Sequence, residues 1–379
     1  MGLPCSLKLM VRTMKRALLP AATSRSVGPL FRPLMRNQAI VFMFHRFRDP
    51  ECGVTGHCPA KLVSGLRDLR RSGFRFVGLE ELIRTGREGG DVTGMAAFTV
   101  DDGYADFYRI AAPIFLDHEC PVTLFLGTEF LDHGVWQWWD RLRLMMEQTE
   151  RTDVSYEIPG RRVELSWHNE EMKTEARHRI LEDLTPMNRT ARAGPLEELE
   201  DQFCVSVPGK PTKRFLPLTW DEVRDLSGKG ITFGPHTVSH GNSGFWSNEE
   251  FAEEVTRSWD RIRAETGKGI PVFCYPYGGI PSSRVQAIRI LEEAEMIGAL
   301  TTGPDYASGS GIKRDPYFIA RFSWPDEMMD LRQISYGIER AKAFLSRRWF
   351  GKGLTPQVSL ESADGEHPSG GGEPPGLVH

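Results

Sequence analysis

Two carboxylates stand side by side in Phe98-Thr99-Val100-Asp101-Asp102-Gly103-Tyr104, where the apolar run from Met95 to Val100 breaks into a turn. Neighbouring carboxylates repel and lose solvation on burial, so a fold tolerates them best when a cation or a proton separates their roles. Taken alone, the stretch reads first as a solvated Asp-Asp-Gly turn after a strand. A second signal far downstream, His236-Thr237-Val238-Ser239-His240, sets two imidazoles four residues apart. One helical turn or a tight loop puts both on one face, a spacing suited to a single divalent ion, and Gly234-Pro235 ahead of them reads as a helix opening. Two nitrogens and one carboxylate oxygen leave a position open for water, the pattern of catalytic rather than structural zinc. The third signal, Tyr275-Pro276-Tyr277-Gly278, is by itself a plain turn after a strand. The three together predict metal-assisted hydrolysis.

Such residues need strands to end beside one another. Gln38 to Phe47 opens the fold with the continuous apolar run of a buried strand. Helical spacing follows over Lys61–Ser72, then a short strand at Phe74–Val77 and a short helix at Leu79–Arg84. Met95–Val100 and Val122–Leu126 read as strands around a helix at Tyr104–His118. After the segment 136–215 the alternation returns. A helix capped by Thr219 with Glu222 three residues on is followed by strands at Ile231–Phe233, Pro271–Tyr275 and Ile297–Thr301, with helices at Asn248–Glu265 and Ser282–Ala294. This βα rhythm predicts an α/β fold, a mostly parallel sheet or barrel with helices outside. Segment 136–215 breaks the rhythm with a mixture of helical stretches and a hairpin at Val154–Leu165, and reads as a mostly helical insertion. Its opening, Trp136-Gln137-Trp138-Trp139-Asp140, either anchors the insertion to its host or stacks on sugar rings, with the anchor reading the stronger.

A chain of 379 residues with a formal net charge of −4 can bury a large core, and nothing global points to nucleic acid. Before Asp49 there is no acidic residue, while Lys8, Arg12, Lys15, Arg16, Arg25, Arg32, Arg36, Arg46 and Arg48 accumulate. Residues 1–36 therefore form a basic arm that reads equally as peripheral contact with an anionic membrane or as a plain disordered terminus. Charges interrupt every apolar run that would serve as an export signal, and the short myristoylation pattern at Met1-Gly2 and Ser6 is discounted. The six cysteines are scattered without a CxxC pair, as expected of free thiols in a reducing compartment, so the expected location is cytoplasmic with membrane-peripheral contact. The Gly, Pro and Ser-rich end, residues 346–379, is expected to be disordered.

Thr99-x-Asp101-Asp102-Gly103, His236-Thr237-x-x-His240 and Pro276-Tyr277-Gly278, in that order, resemble the polysaccharide deacetylases of carbohydrate esterase family four. That family includes chitin and peptidoglycan deacetylases and the chitooligosaccharide deacetylase of nodulation-factor synthesis. The resemblance covers roughly residues 38–335 outside the insertion and places a deacetylase domain at 37–345. It implies a distorted, incomplete (β/α) barrel binding one divalent metal, with zinc the expected ion. It implies Asp102, His236 and His240 as metal ligands, Asp101 as general base and the backbone N–H of Tyr277 facing the developing oxyanion. It further implies removal of N-acetyl groups from an N-acetylated glycan or lipid-linked oligosaccharide. Two departures stand out. The arginine that many members carry two positions before the motif proline is here Cys274, and Arg321 is the expected substitute. The late Leu-x-His bearing the general acid is missing, since no histidine lies between His240 and His367. Met43-Phe44-His45 resembles that motif moved to the first strand, as in a circularly permuted branch, and makes His45 the expected acid. A non-catalytic glycan-binding protein, an O-acetyl esterase and a cyclic amidase are the alternative readings.

Overall fold

A computed structural model describes residues 19–342. The basic residues Lys8 to Arg16, the Met1-Gly2 pattern and the tail 346–379 lie outside the described residues. Strands β1 (Gln38–Phe44), β2 (Arg75–Phe76), β3 (Met95–Val100) and β4 (Val122–Leu126) are joined by helices Pro59–Arg71, Leu79–Glu88 and Ala112–Asp117. The hairpin β5 (Asp153–Ile158) and β6 (Arg161–Ser166) belongs to the insertion. After it come β7 (Thr232–Pro235), β8 (Val272–Cys274), β9 (Gly298–Leu300), β10 (Ala307–Ser308) and β11 (Phe322–Ser323). Helix Asn248–Thr266 runs between β7 and β8, and helix Arg284–Glu293 between β8 and β9.

The sheet order is β10-β1-β3-β4-β7, with β11 also on β1 and β2 also on β3. Every one of these pairings is parallel except β1 with β10. Beyond β7 the ring is looser. Ile270 N–H donates to Phe233 O at 2.9 Å, β8 pairs with β9 in parallel, and a single bridge joins Leu300 to Ile319 before β11 returns to β1. The parallel sheet is what the βα rhythm led one to expect, and its curled, incompletely hydrogen-bonded closure is the incomplete barrel that the resemblance implied. β1 and β3 are buried almost along their whole length, which is why they read as unbroken apolar runs rather than as alternating ones. Because these strands are parallel, their C-terminal ends open on one rim, and residues just past those ends gather there.

Local signals account for the helix ends. Thr219 and Glu222 form the reciprocal capping box, Ser247 and Glu250 form another, and Gly267 closes helix Asn248–Thr266 in the left-handed region. The helix expected from Tyr104 begins only at Phe107, as a π-type turn, Phe107–Ala111, leading into Ala112–Asp117. Asp102 and Gly103 take positive φ, and Tyr104 and Ala105 are tied to Pro217 and Leu216, so the backbone there is committed to loop contacts.

Within residues 136–215, helices Trp138–Gln148, Glu170–Leu184 and Arg189–Phe203 pack with the β5–β6 hairpin around a separate apolar cluster containing Leu142, Tyr156, Ile180 and Leu199. Tyr277, from the barrel rim, packs against that cluster.

Candidate active site

Asp101 lies immediately past β3 and is fully buried. Arg321, just before β11 and 0% exposed, grips it in a two-pronged pair, Nη1 to Oδ1 at 2.8 Å and Nη2 to Oδ2 at 2.7 Å. The same guanidinium donates to Thr99 Oγ1 and to Thr301 O, both at 3.0 Å, so its plane is fixed on several sides. Cys274 Sγ sits 3.1 Å from Arg321 Nη2 and 3.6 Å from Asp101 Oδ2. Arg321 therefore meets the carboxylate from the strand beyond β1, beside the thiol that occupies the expected arginine position. Burial opposes charge on Asp101, but Arg321 outweighs it and holds the carboxyl below the usual range. Burial also pushes the Cys274 thiol up, leaving it protonated.

Asp102 turns the other way. Its backbone adopts φ 74°, a conformation that non-glycine residues rarely hold. The carboxylate Oδ1 lies 2.9 Å from His240 Nε2 and 3.6 Å from His236 Nε2, and all three residues are buried. His236 and His240 sit on a tight loop after β7, and Gly234-Pro235 ends that strand rather than opening a helix. Thr237 and His240 also have positive φ, and Thr237 Oγ1 accepts from His240 N–H at 2.9 Å.

The donor set suits a divalent cation. Asp102, His236 and His240 bring one oxygen and two nitrogens within 4.8 Å of one another. His236 Nδ1 is 2.8 Å from the Cys274 carbonyl, a contact that requires the proton on Nδ1 and turns Nε2 towards Asp102, where it can take either a proton or a cation. Burial opposes charge on His236, yet Cys274, Asp102 and Asp101 hold its pKa well above the usual value. Carboxylates at this depth call for a positive charge, which a bound cation would provide in place of a proton. Burial lowers the pKa of His240 despite Asp102, keeping that imidazole neutral as a ligand must be.

His45 follows β1 directly, 23% exposed, with Nε2 3.9 Å from Asp101 Oδ2. It lines a narrow cleft together with Asp102, Tyr104 and Trp139. Pro276–Gly278 is a tight turn past β8 in which Tyr277 takes φ 56° and ψ 7°, its ring 5.1 Å from that of His240. The structure thus brings Asp101, Asp102, His45, His236, His240 and Tyr277 to one rim.

Residues 198–294, which contain His236, His240 and Tyr277, match the family model for polysaccharide deacetylase. The chain carries a polysaccharide deacetylase domain. Its fold is similar to that of the Streptococcus pyogenes deacetylase PplD in complex with acetate, at a TM-score of 0.51 and 14% identity, covering 80% of this chain and 98% of that one. IcaB from Ammonifex degensii is similar at a TM-score of 0.50 and 14% identity, covering 79% and 97%. No curated protein sequence matches the chain.

Three further features of the deacetylase rim carried little or no signal in the sequence. Glu254, on helix Asn248–Thr266, accepts the N–H groups of Val238 at 2.7 Å and Ser239 at 2.9 Å, holding the loop between the two histidines from behind. Tyr104 donates to Asp140 and accepts from Trp139 Nε1 at 3.1 Å. Trp139 covers His240, ring centroids 4.7 Å apart, while Trp138 Nε1 donates to the Tyr277 hydroxyl at 3.0 Å. The tryptophan cluster anchors the insertion, and it does so on His240 and on Tyr277. Its density in aromatics was the one sequence signal for that contact.

Proposed function

We propose that the deacetylase domain hydrolyses the N-acetyl group of an N-acetylhexosamine within an oligosaccharide or polysaccharide, releasing acetate and leaving a free amine. The observation that carries this reading is the division of labour between adjacent aspartates, one held by Arg321 and one facing two histidines. Pure recognition of a glycan has no use for a buried, ionised carboxylate beside a cation site.

Asp102, His236 and His240 would hold the cation, with zinc the ion their donor chemistry favours. When bound, it supplies Lewis acidity towards the acetamide carbonyl and lowers the pKa of neighbouring water. Asp101, kept ionised by Arg321, accepts the proton of the attacking water. The Tyr277 backbone N–H is directed to the oxyanion as it develops, a contribution of about 2.7–4 kcal/mol for donors of this kind. His45, with Nε2 3.9 Å from Asp101 Oδ2, gives its proton to the departing nitrogen, which makes the first strand the bearer of the general acid. The natural glycan on this reading is a biosynthetic intermediate, soluble or lipid-linked, handled on the cytoplasmic side. The basic N-terminal arm would contact the membrane surface, and Leu30 and Leu34 are exposed beside Arg32 and Arg36.

The test is acetate release from N-acetylglucosamine oligomers by the purified full chain, after chelation and after zinc is restored. Release that stops with chelator and returns with zinc is expected. A protein that binds one metal per chain and frees no acetate from any oligomer would overturn the reading.

A further inference from the structure

A second cavity, of about 460 Å3, lies between the insertion and the barrel, lined by Trp138, the chain neighbour of the Trp139 that lines the catalytic cleft. Its barrel wall includes Val238 and Ser239, the residues between the two histidines, so it abuts the back of the ligand loop. Its insertion wall presents Trp136 and Trp138, indoles of the kind that pack against pyranose rings.

The charge in this wall is uneven. Arg141 is matched by Glu200 and Arg189 by Glu129, both across the cavity lining. Arg192 is different. It is 5% exposed, and among the described residues no carboxylate lies within ion-pair distance of it. Its Nε donates to Leu184 O at 3.0 Å and its Nη2 to Met187 O, carbonyls at and just past the end of helix Glu170–Leu184. The guanidinium lies 4.3 Å from the centre of the Trp138 ring. Capping a helix end explains its orientation, but a helix terminus offers only about half a negative charge. Three guanidiniums thus face two carboxylates, and the excess cation is buried, where an anion gains most from it.

We propose that this cavity is a subsite for an anionic sugar residue, carrying a carboxylate or phosphate group, that adjoins the N-acetylated residue in the same glycan. The proposal rests on the deacetylase reading and narrows its substrate class to acidic glycans. Trp138 links the two places physically, lining the cavity with one part of its ring and donating to the Tyr277 hydroxyl with its Nε1.

The experiment compares three probes on the zinc-loaded full chain: alternating N-acetylglucosamine–glucuronate oligosaccharides, the same oligosaccharides with their carboxyls reduced to alcohols, and an N-acetylglucosamine dimer bridged by a phosphodiester. The expected result is a kcat/KM for acetate release at least tenfold higher for the glucuronate form than for its reduced form. An advantage seen only with the phosphodiester assigns phosphate as the anion. Equal kcat/KM for all three overturns the proposal. In Arg192→Leu the acid-to-neutral ratio should fall towards one, and in Arg192→Lys it should fall only part of the way. Should Arg192→Leu not fold, the comparison of probes on the parent protein decides alone. Calorimetric binding of the glucuronate and reduced oligosaccharides separates the two readings. Tenfold tighter binding of the acidic form without acetate release would keep the subsite and reject the deacetylase, whereas equal or absent binding of the glucuronate, reduced and phosphodiester probes alike would reject the subsite.

Discussion

Asp101 and Asp102 share a peptide bond and face opposite company. Arg321 neutralises the first through both oxygens, and two imidazoles converge on the second. Removing either side of the buried pair leaves an uncompensated charge, so Arg321→Met should destabilise the fold by about 3–5 kcal/mol, read from urea denaturation. Unfolding at the parent's midpoint would show the pair to be incidental. Asp101→Asn keeps the size of the side chain while removing the base. It should lower kcat by roughly 10²–10⁴-fold while zinc still binds one per chain, checked by acetate release and metal analysis. His45→Ala addresses the acid separately. A loss of about 10²-fold in kcat, with an unchanged melting curve, is expected on the assigned role; parent-like turnover would return the acid function to another group.

Loops rather than strands give the rim its shape. Asp102, Thr237, His240 and Tyr277 all hold positive φ, a conformation costing about 1–3 kcal/mol each that persists only where surrounding contacts impose it. Glu254 is one such contact. Glu254→Gln removes the charge that accepts the Val238 and Ser239 N–H groups, and zinc affinity measured by chelator competition should fall about 10–100-fold. Affinity equal to the parent's would show that the loop holds itself. β1, β3 and β4 were legible in the sequence because burial on both faces writes an unbroken apolar run. Asp102, His236 and His240, the candidate metal centre, drew attention in the sequence because metal-binding chemistry demands particular side chains at particular spacings. The left-handed backbone at Asp102 and Tyr277 was not legible, since neither residue prefers it and only tertiary packing enforces it. Glu254 was equally silent, one glutamate among several on a charged helix. Arg321 could be suspected only from the cysteine at position 274, because its partner is distant in the chain. The late start of the helix after Tyr104 follows from the same cause, backbone groups claimed by Leu216 and Pro217.

The ends of the described chain are fastened to the barrel at one buried carboxylate. Asp68, on helix Pro59–Arg71, accepts from Arg25 at 2.9 Å and from Arg332 at 2.8 and 3.0 Å. Burial works to raise its pKa, but Arg332 and Arg25 prevail and depress it below 3.8. A depressed carboxyl contributes stability above its unfolded pKa and loses that contribution as pH falls through the folded value. Asp68→Asn should therefore cost about 1–3 kcal/mol at pH 7, and the gap from the parent should close below about pH 4 in denaturation midpoints taken across that range. A gap independent of pH would show that the charge is irrelevant. The pairing of Asp101 with Arg321 spans 220 positions of sequence. At about 5–20 residues per second, a ribosome needs tens of seconds to deliver the second partner after the first. For that interval the nascent sheet carries its two aspartates without the guanidinium, and the last strand cannot yet close on β1. Closure of the ring and charge compensation of Asp101 are then a single late event, so a growing chain does not hold the assembled rim until its barrel is finished.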